Sequence, residues 1–258
     1  FSKITSIVLH IIFFILPDIL NEFAFLDIAP LKLLSLNFES FYSTRFPRPA
    51  ISNLFFFSFI YFIIKLYKDD EKYLRTLFII SILIGLMVNI FFYLAFIELF
   101  LLLFVFLLKF KKEIFIILVK NYEYFFYCLL VFLSFVIIFQ SQVYFSEPDY
   151  VKRLGVFSIN SNQKKILFTY FFNFIFGIEF LFLFFINTFF FFFSKNRFVK
   201  IFYFLFLASI LSPILFFNLF DKGVDYYHFF NWIVICGFIF PFIAIIYFIE
   251  STFVKFLN

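Results

Sequence analysis

Histidine, cysteine, glycine and tryptophan are almost missing from this chain: 258 residues hold 2 His, 2 Cys, 5 Gly and 1 Trp. Each scarcity removes a class of chemistry. Two histidines, His10 and His228, cannot furnish a His-rich metal site, and no cysteine pair stands at metal-ligand spacing. Cys128 and Cys236 both fall inside apolar runs, where the thiol behaves as a small hydrophobe and not as half of a disulfide framework. There is no Gly-rich phosphate loop, no Gly-x-Ser-x-Gly elbow and no His-Glu-x-x-His helix. No metal or cofactor is therefore expected. Charge is scarce as well, at 14% of residues against about 25% in soluble domains. The net charge of +5 is concentrated in short connections between apolar runs. Membrane topology and anionic lipid account for it there, and nucleic acid is not an expected partner.

What the chain does have is apolar length. Hydrophobic residues make up 65% and the mean hydropathy is +1.08, beyond the roughly 45–50% apolar content of soluble domains. A bilayer span takes about 20 apolar residues, so this length holds roughly six to eight spans with little left for a soluble domain. Phe, at 58 residues, is written with T-rich codons. A low-GC genome explains it, with runs such as 189–193 filling lipid-facing positions.

Apolar runs bounded by charge place spans at about 4–20, 50–67, 122–143, 166–193, 200–220 and 229–250. The stretch 76–110 would be about 50 Å long as one helix, at about 1.5 Å per residue. A hydrocarbon core is about 30 Å thick, so this stretch is expected to divide into two spans around a tight turn near 89–98. The fold class is then an all-α, polytopic integral membrane protein of about eight transmembrane helices in one membrane domain. The first run follows a lone Lys3 without a small-residue cleavage site and reads as an uncleaved anchor. Phe1 stands where Met is expected, which points to a truncated or processed start.

Three connections carry the basic residues: Lys65, Lys68, Lys72 and Arg75; Lys109, Lys111, Lys112 and Lys120; and Lys195, Arg197 and Lys200. The positive-inside rule makes all three cytoplasmic. They are separated by two spans each, as alternation requires, only if 76–110 is split. Both termini are then expected in the cytoplasm. The outward connections are 21–49, the turn within 76–110, 144–165 and 221–228. Segment 21–49 mixes Phe23, Phe25, Leu26 and Ile28 with isolated charges, as an interfacial helix does. Lys152, Arg153, Lys164 and Lys165 in 144–165 run against the pattern, although the last two can snorkel at the start of a span.

Ionisable groups inside spans are costly and so are candidate sites. Glu179 falls near the middle of 166–193, with Asn173 and Thr188 in the same run. Glu98 is expected at the turn within 76–110, where water reaches it. Pro213 and Pro241 fall within spans, where proline can open the helix backbone toward a cavity.

A second set lies in the outward connections. Arg45 and Arg48 occur in Thr-Arg-Phe-Pro-Arg-Pro, whose prolines stiffen an extended segment, and guanidinium forks grip phosphate and pyrophosphate bidentately. Glu147, Asp149, Lys152 and Arg153 occupy the next connection, and Asp221, Asp225, Tyr226, Tyr227 and His228 the one after. Connections are polar because they meet water, but Arg45, Arg48 and Arg153 lie on the outward face, where positive-inside bias would not place them.

On Arg45, Arg48, Arg153 and His228, set in outward loops between several spans, the chain resembles the O-antigen polymerase and ligase group of bacterial envelope proteins. That resemblance implies glycan transfer from a polyprenyl-pyrophosphate carrier. Arg45, Arg48 and Arg153 would neutralise the pyrophosphate, and Asp149, Asp225 or His228 would take the proton of the accepting hydroxyl. Two further readings stay open. One is a solute or ion carrier whose path is lined by Glu98, Asn173 and Glu179, although no paired halves are visible in the sequence. The other is a non-catalytic subunit of a respiratory or other membrane complex, whose Phe-rich spans pack against membrane-protein partners.

Overall fold

A computed structural model describes residues 50–68, 72–144, 177–194, 196–219 and 227–257. Among them all regular structure is helical: α1 Ala50–Lys68, α2 Tyr73–Phe110, a single 3-10 turn Lys111–Glu113, α3 Ile114–Lys120, α4 Tyr122–Tyr144, α5 Ile178–Phe193, α6 Arg197–Leu219 and α7 Tyr227–Leu257. The composition explains this. In an apolar medium each backbone N–H and C=O must be satisfied within its own segment, and long runs of Phe, Leu and Ile with few glycines meet that demand as helices.

Helix α2 decides the topology of its neighbours. Straight, its 38 residues would reach about 57 Å at about 1.5 Å per residue. Phe91 instead has φ −154 and ψ 79, outside helical geometry. The ring of Tyr73 lies 5.3 Å from that of Phe110, so the first and last residues of α2 meet. The helix is thus a hairpin of two antiparallel arms, the division that bilayer thickness demanded, with its turn inside the expected 89–98 window. Among the described residues, five helical segments are long and apolar enough to cross a membrane: Ile51–Lys68, Tyr73–Phe91, Tyr93–Lys120, Tyr122–Phe139 and Trp232–Thr252. Phe180–Phe193 and Val199–Pro213 are shorter apolar helices. The expected first span lies outside the described residues.

The described residues fall into two compact units, one of 50–144 with 207–219 and 227–229, the other of 177–206 with 230–257. In the first, α1 packs on α2 and α2 on α4. Phe56, Phe59, Ile63 and Leu66, at helical spacing, form a fully buried stripe on α1, and Ile80, Ile84, Met87 and Leu94 are buried on α2. Polar ties set the register. Lys109 Nζ donates to the Leu66 carbonyl at 2.6 Å, Asn121 Nδ2 donates to Tyr73 Oη at 3.1 Å, and Asn89 Nδ2 donates to the Phe135 carbonyl at 3.1 Å. The basic ends of α1 and α2 therefore meet at one end of the unit, together with the start of α4. Gly85 allows α4 to approach closely, since a Cβ there would overlap the Phe135 ring.

In the second unit, Val199, Phe240 and Ala244 form a buried cluster against which Phe190, Phe191, Phe202, Tyr203 and Ile243 pack. Tyr203 joins the helices, its ring 4.5 Å from Phe191 and 5.7 Å from Phe240, and Lys200 Nζ sits 4.5 Å from the Phe191 centroid. The run of five phenylalanines is thus not uniform filler. Phe190 and Phe191 pack inward while Phe189, Phe192 and Phe193 are exposed, as one helix with a core face and a lipid-compatible face requires.

Candidate functional site

Glu98 lies seven residues past Phe91, about 10 Å into the second arm of the hairpin at about 1.5 Å per residue. The expectation that water reaches it at the turn is overturned: its exposure is 0%. Leu94, Ala95, Ile97 and Leu101 around it on the same helix are buried as well. Neither Oε1 nor Oε2 has a hydrogen-bond partner. The turn falls at Phe91, early in the expected window, and the helix that follows carries Glu98 inward. A buried carboxylate is costly without compensation. With no protein donor at hand, the compensation comes from a proton on the carboxyl, from a cation beside it or from ordered water.

The register places a second open acceptor nearby in depth. Lys109 is tied to Leu66, and α1 runs parallel to the second arm of α2. Eleven residues before each come Glu98 and Phe55, so in depth along the helices Glu98 is within a turn of the buried Ser52. Tyr73 faces Phe110, so Glu98, 12 residues before Phe110, is level with Gly85, 12 residues after Tyr73. Asn89 is one turn from Gly85 and spends its amide N–H groups on the Gly85 and Phe135 carbonyls, while its buried Oδ1 accepts nothing. Three buried acceptor oxygens without a donor, two on Glu98 and one on Asn89, thus lie within about 6 Å in depth of each other.

The prolines behave otherwise than expected. Proline removes the N–H that would bond the carbonyl four residues earlier, which exposes Ser209 for Pro213 and Gly237 for Pro241. Neither carbonyl is left open toward a cavity. Ser212 Oγ donates to the Ser209 carbonyl at 3.0 Å, and Asn187 Nδ2, from α5, donates to the Gly237 carbonyl at 2.6 Å. The second Asn187 donation goes to Leu183 at 2.8 Å. Gly237 lets the neighbouring helices close in, since a Cβ there would lie 3.0 Å from Phe206 and 3.4 Å from Leu183. Sequence reasoning passed over Asn187. The signal was an amide inside a Phe run, on a helix with no other use for it.

Glu179 does not sit within an unbroken helix. Gly177 is extended, with φ −65 and ψ 147, and α5 begins at Ile178, so Glu179 stands in its first turn. Asn173, Arg45, Arg48, Asp149, Arg153 and Asp225 lie outside the described residues, as do the side chains of Glu179 and His228. Of His228 the structure gives its place in the first turn of α7. Among the described residues there is no group of three or more His, Cys, Asp or Glu able to hold a metal ion.

No known protein family, curated protein or solved structure matches this chain. Five long apolar helical segments, and no strand among the described residues, define the class: an α-helical membrane protein.

Proposed function

We propose that the protein is a membrane carrier for an ion or a cation-coupled solute, with Glu98 as the group that binds and releases the cation. The observation that carries this reading is a fully buried carboxyl, both of whose oxygens lack partners, inside a membrane-length hairpin. Ionisable groups at such depth are a functional hypothesis by default. The glycan-transfer reading depends on residues outside the described ones, and no geometry favours it over the carrier.

The test uses purified full-length chain in sealed liposomes, with an imposed pH gradient and, separately, with imposed Na⁺ and K⁺ gradients. Dissipation of one gradient by the wild-type chain, and at least about a tenfold slower rate for Glu98→Gln, is expected. Ten-fold corresponds to about 1.4 kcal/mol of lost interaction. Equal rates for the two chains, or no dissipation of any gradient by either, would dismiss the proposal.

A further inference from the structure

A different part of the first unit carries an independent inference, at the corner where one span gives way to the next. After Phe110 the chain turns through Lys111, whose φ of 46 is left-handed, and passes along the short helix α3 into α4. The corner forms an open-sided cavity of about 340 Å³ whose lining includes Lys120, Glu123, Tyr122, Tyr124 and Tyr127. That volume is within the range of small-ligand sites, about 300–1,000 Å³. Lys120 is exposed. Glu123 accepts one bond, from Tyr122 Oη at 3.1 Å, on Oε1.

The lining suits a ligand with one charge of each sign. An ammonium is held by a carboxylate and by the faces of tyrosine rings, and a phosphate by a lysine. A purely anionic headgroup would meet Glu123 as a like charge. Below the cavity the ligand also has a place for a tail. Tyr122, Phe126, Leu129, Leu130, Leu133 and Ile137 are exposed along α4, spaced three and four apart, so one continuous apolar stripe descends from the cavity. The cavity stands at the start of the candidate span Tyr122–Phe139, and tyrosines at a span end favour the headgroup level.

We infer that this corner is a binding site for a phospholipid whose headgroup carries a phosphate and a primary ammonium. The phosphate sits on Lys120, the ammonium on Glu123 and the tyrosine rings, and an acyl chain lies along the α4 stripe.

Native mass spectrometry of the detergent-purified full chain tests it, using phosphatidylethanolamine, phosphatidylglycerol with the same acyl chains, and water-soluble phosphoethanolamine as probes. Phosphatidylethanolamine is expected to be retained about fivefold better than phosphatidylglycerol, and Lys120→Ala and Glu123→Gln are each expected to lose about fivefold, near the most an exposed charge pair supplies. Both side chains are exposed, so neither change threatens folding. Equal retention of the two lipids, or retention unchanged in both variants, overturns the site. Phosphoethanolamine bound as well as the lipid would assign the cavity to a soluble ligand and overturn the lipid reading too. None of these outcomes bears on ion flux through Glu98.

Discussion

Replacing Asn187 by Ala leaves the Gly237 carbonyl with no donor, because Pro241 has no N–H to offer it and Asn187 Nδ2 bonds it at 2.6 Å. Leaving a buried carbonyl unsatisfied costs about 1–3 kcal/mol. Hydrogen bonds between membrane helices average only about 0.6 kcal/mol, because the freed groups commonly find other partners. Here the natural substitute is absent, so the upper range applies, less what is regained by removing the unpartnered Asn187 Oδ1. The net expectation is a loss of about 1–2 kcal/mol. The geometry also says how to abolish that loss. Pro241→Ala restores the backbone N–H, which can then bond Gly237 within α7, and in that background Asn187→Ala should cost less than about 0.6 kcal/mol. The difference between the two costs is a coupling of about 1 kcal/mol, measurable as a double-mutant cycle by steric-trapping unfolding in detergent micelles. An Asn187→Ala penalty that is the same with Pro241 and with Ala at that position would refute the reasoning, and with it the statement that Asn187 answers the proline.

Two further expectations concern the first unit. Cysteines placed at Tyr73 and Phe110 should crosslink with a short bifunctional reagent, since those rings are 5.3 Å apart. A straight α2 would hold them about 55 Å apart and give no crosslink. Gly85→Ala would drive a Cβ into the Phe135 ring and should destabilise the chain by about 1–3 kcal/mol, as overpacking does. A Phe135→Leu change in the same chain should recover part of the loss, and thermal unfolding showing no recovery would place the strain elsewhere.

The hairpin was legible in the sequence because it follows from one length set against another, the apolar run 76–110 and the thickness of a bilayer. The meeting of basic ends followed from the same division. The burial of Glu98 was not legible. Polarity alone suggested the water-facing turn, and seven residues of helix beyond Phe91 carry it away from there. The two prolines show a different limit. Their positions are plain in the sequence, but Gly237 is answered from Asn187, 50 residues away, and only the packing of α5 on α7 reveals it. The run 166–193 reads as continuous by composition, yet Gly177 adopts an extended backbone and α5 starts after it. A glycine in an apolar run weakens a helix by about 1 kcal/mol without announcing a break.

The open acceptors decide where function belongs. Among the described residues of the second unit the unpartnered buried side-chain oxygens are those of Asn187 and Thr188, an amide and a hydroxyl, and neutral groups bear burial at modest cost. In the first unit the unpartnered oxygens include, beside the neutral Asn89 Oδ1, both oxygens of the Glu98 carboxyl, where the cost is far larger if the charge is bare. Such a residue weakens the fold unless it is used. Glu98→Leu therefore separates the two readings of it. The change removes two buried acceptors without donors, each able to cost about 1–3 kcal/mol, so the variant should unfold at higher denaturant than the wild-type chain. If the carboxyl serves cation movement, the same variant should lose gradient dissipation in liposomes, the trade between stability and activity that functional sites commonly show. A variant that is both more stable and fully active would mean that Glu98 does no work in the membrane.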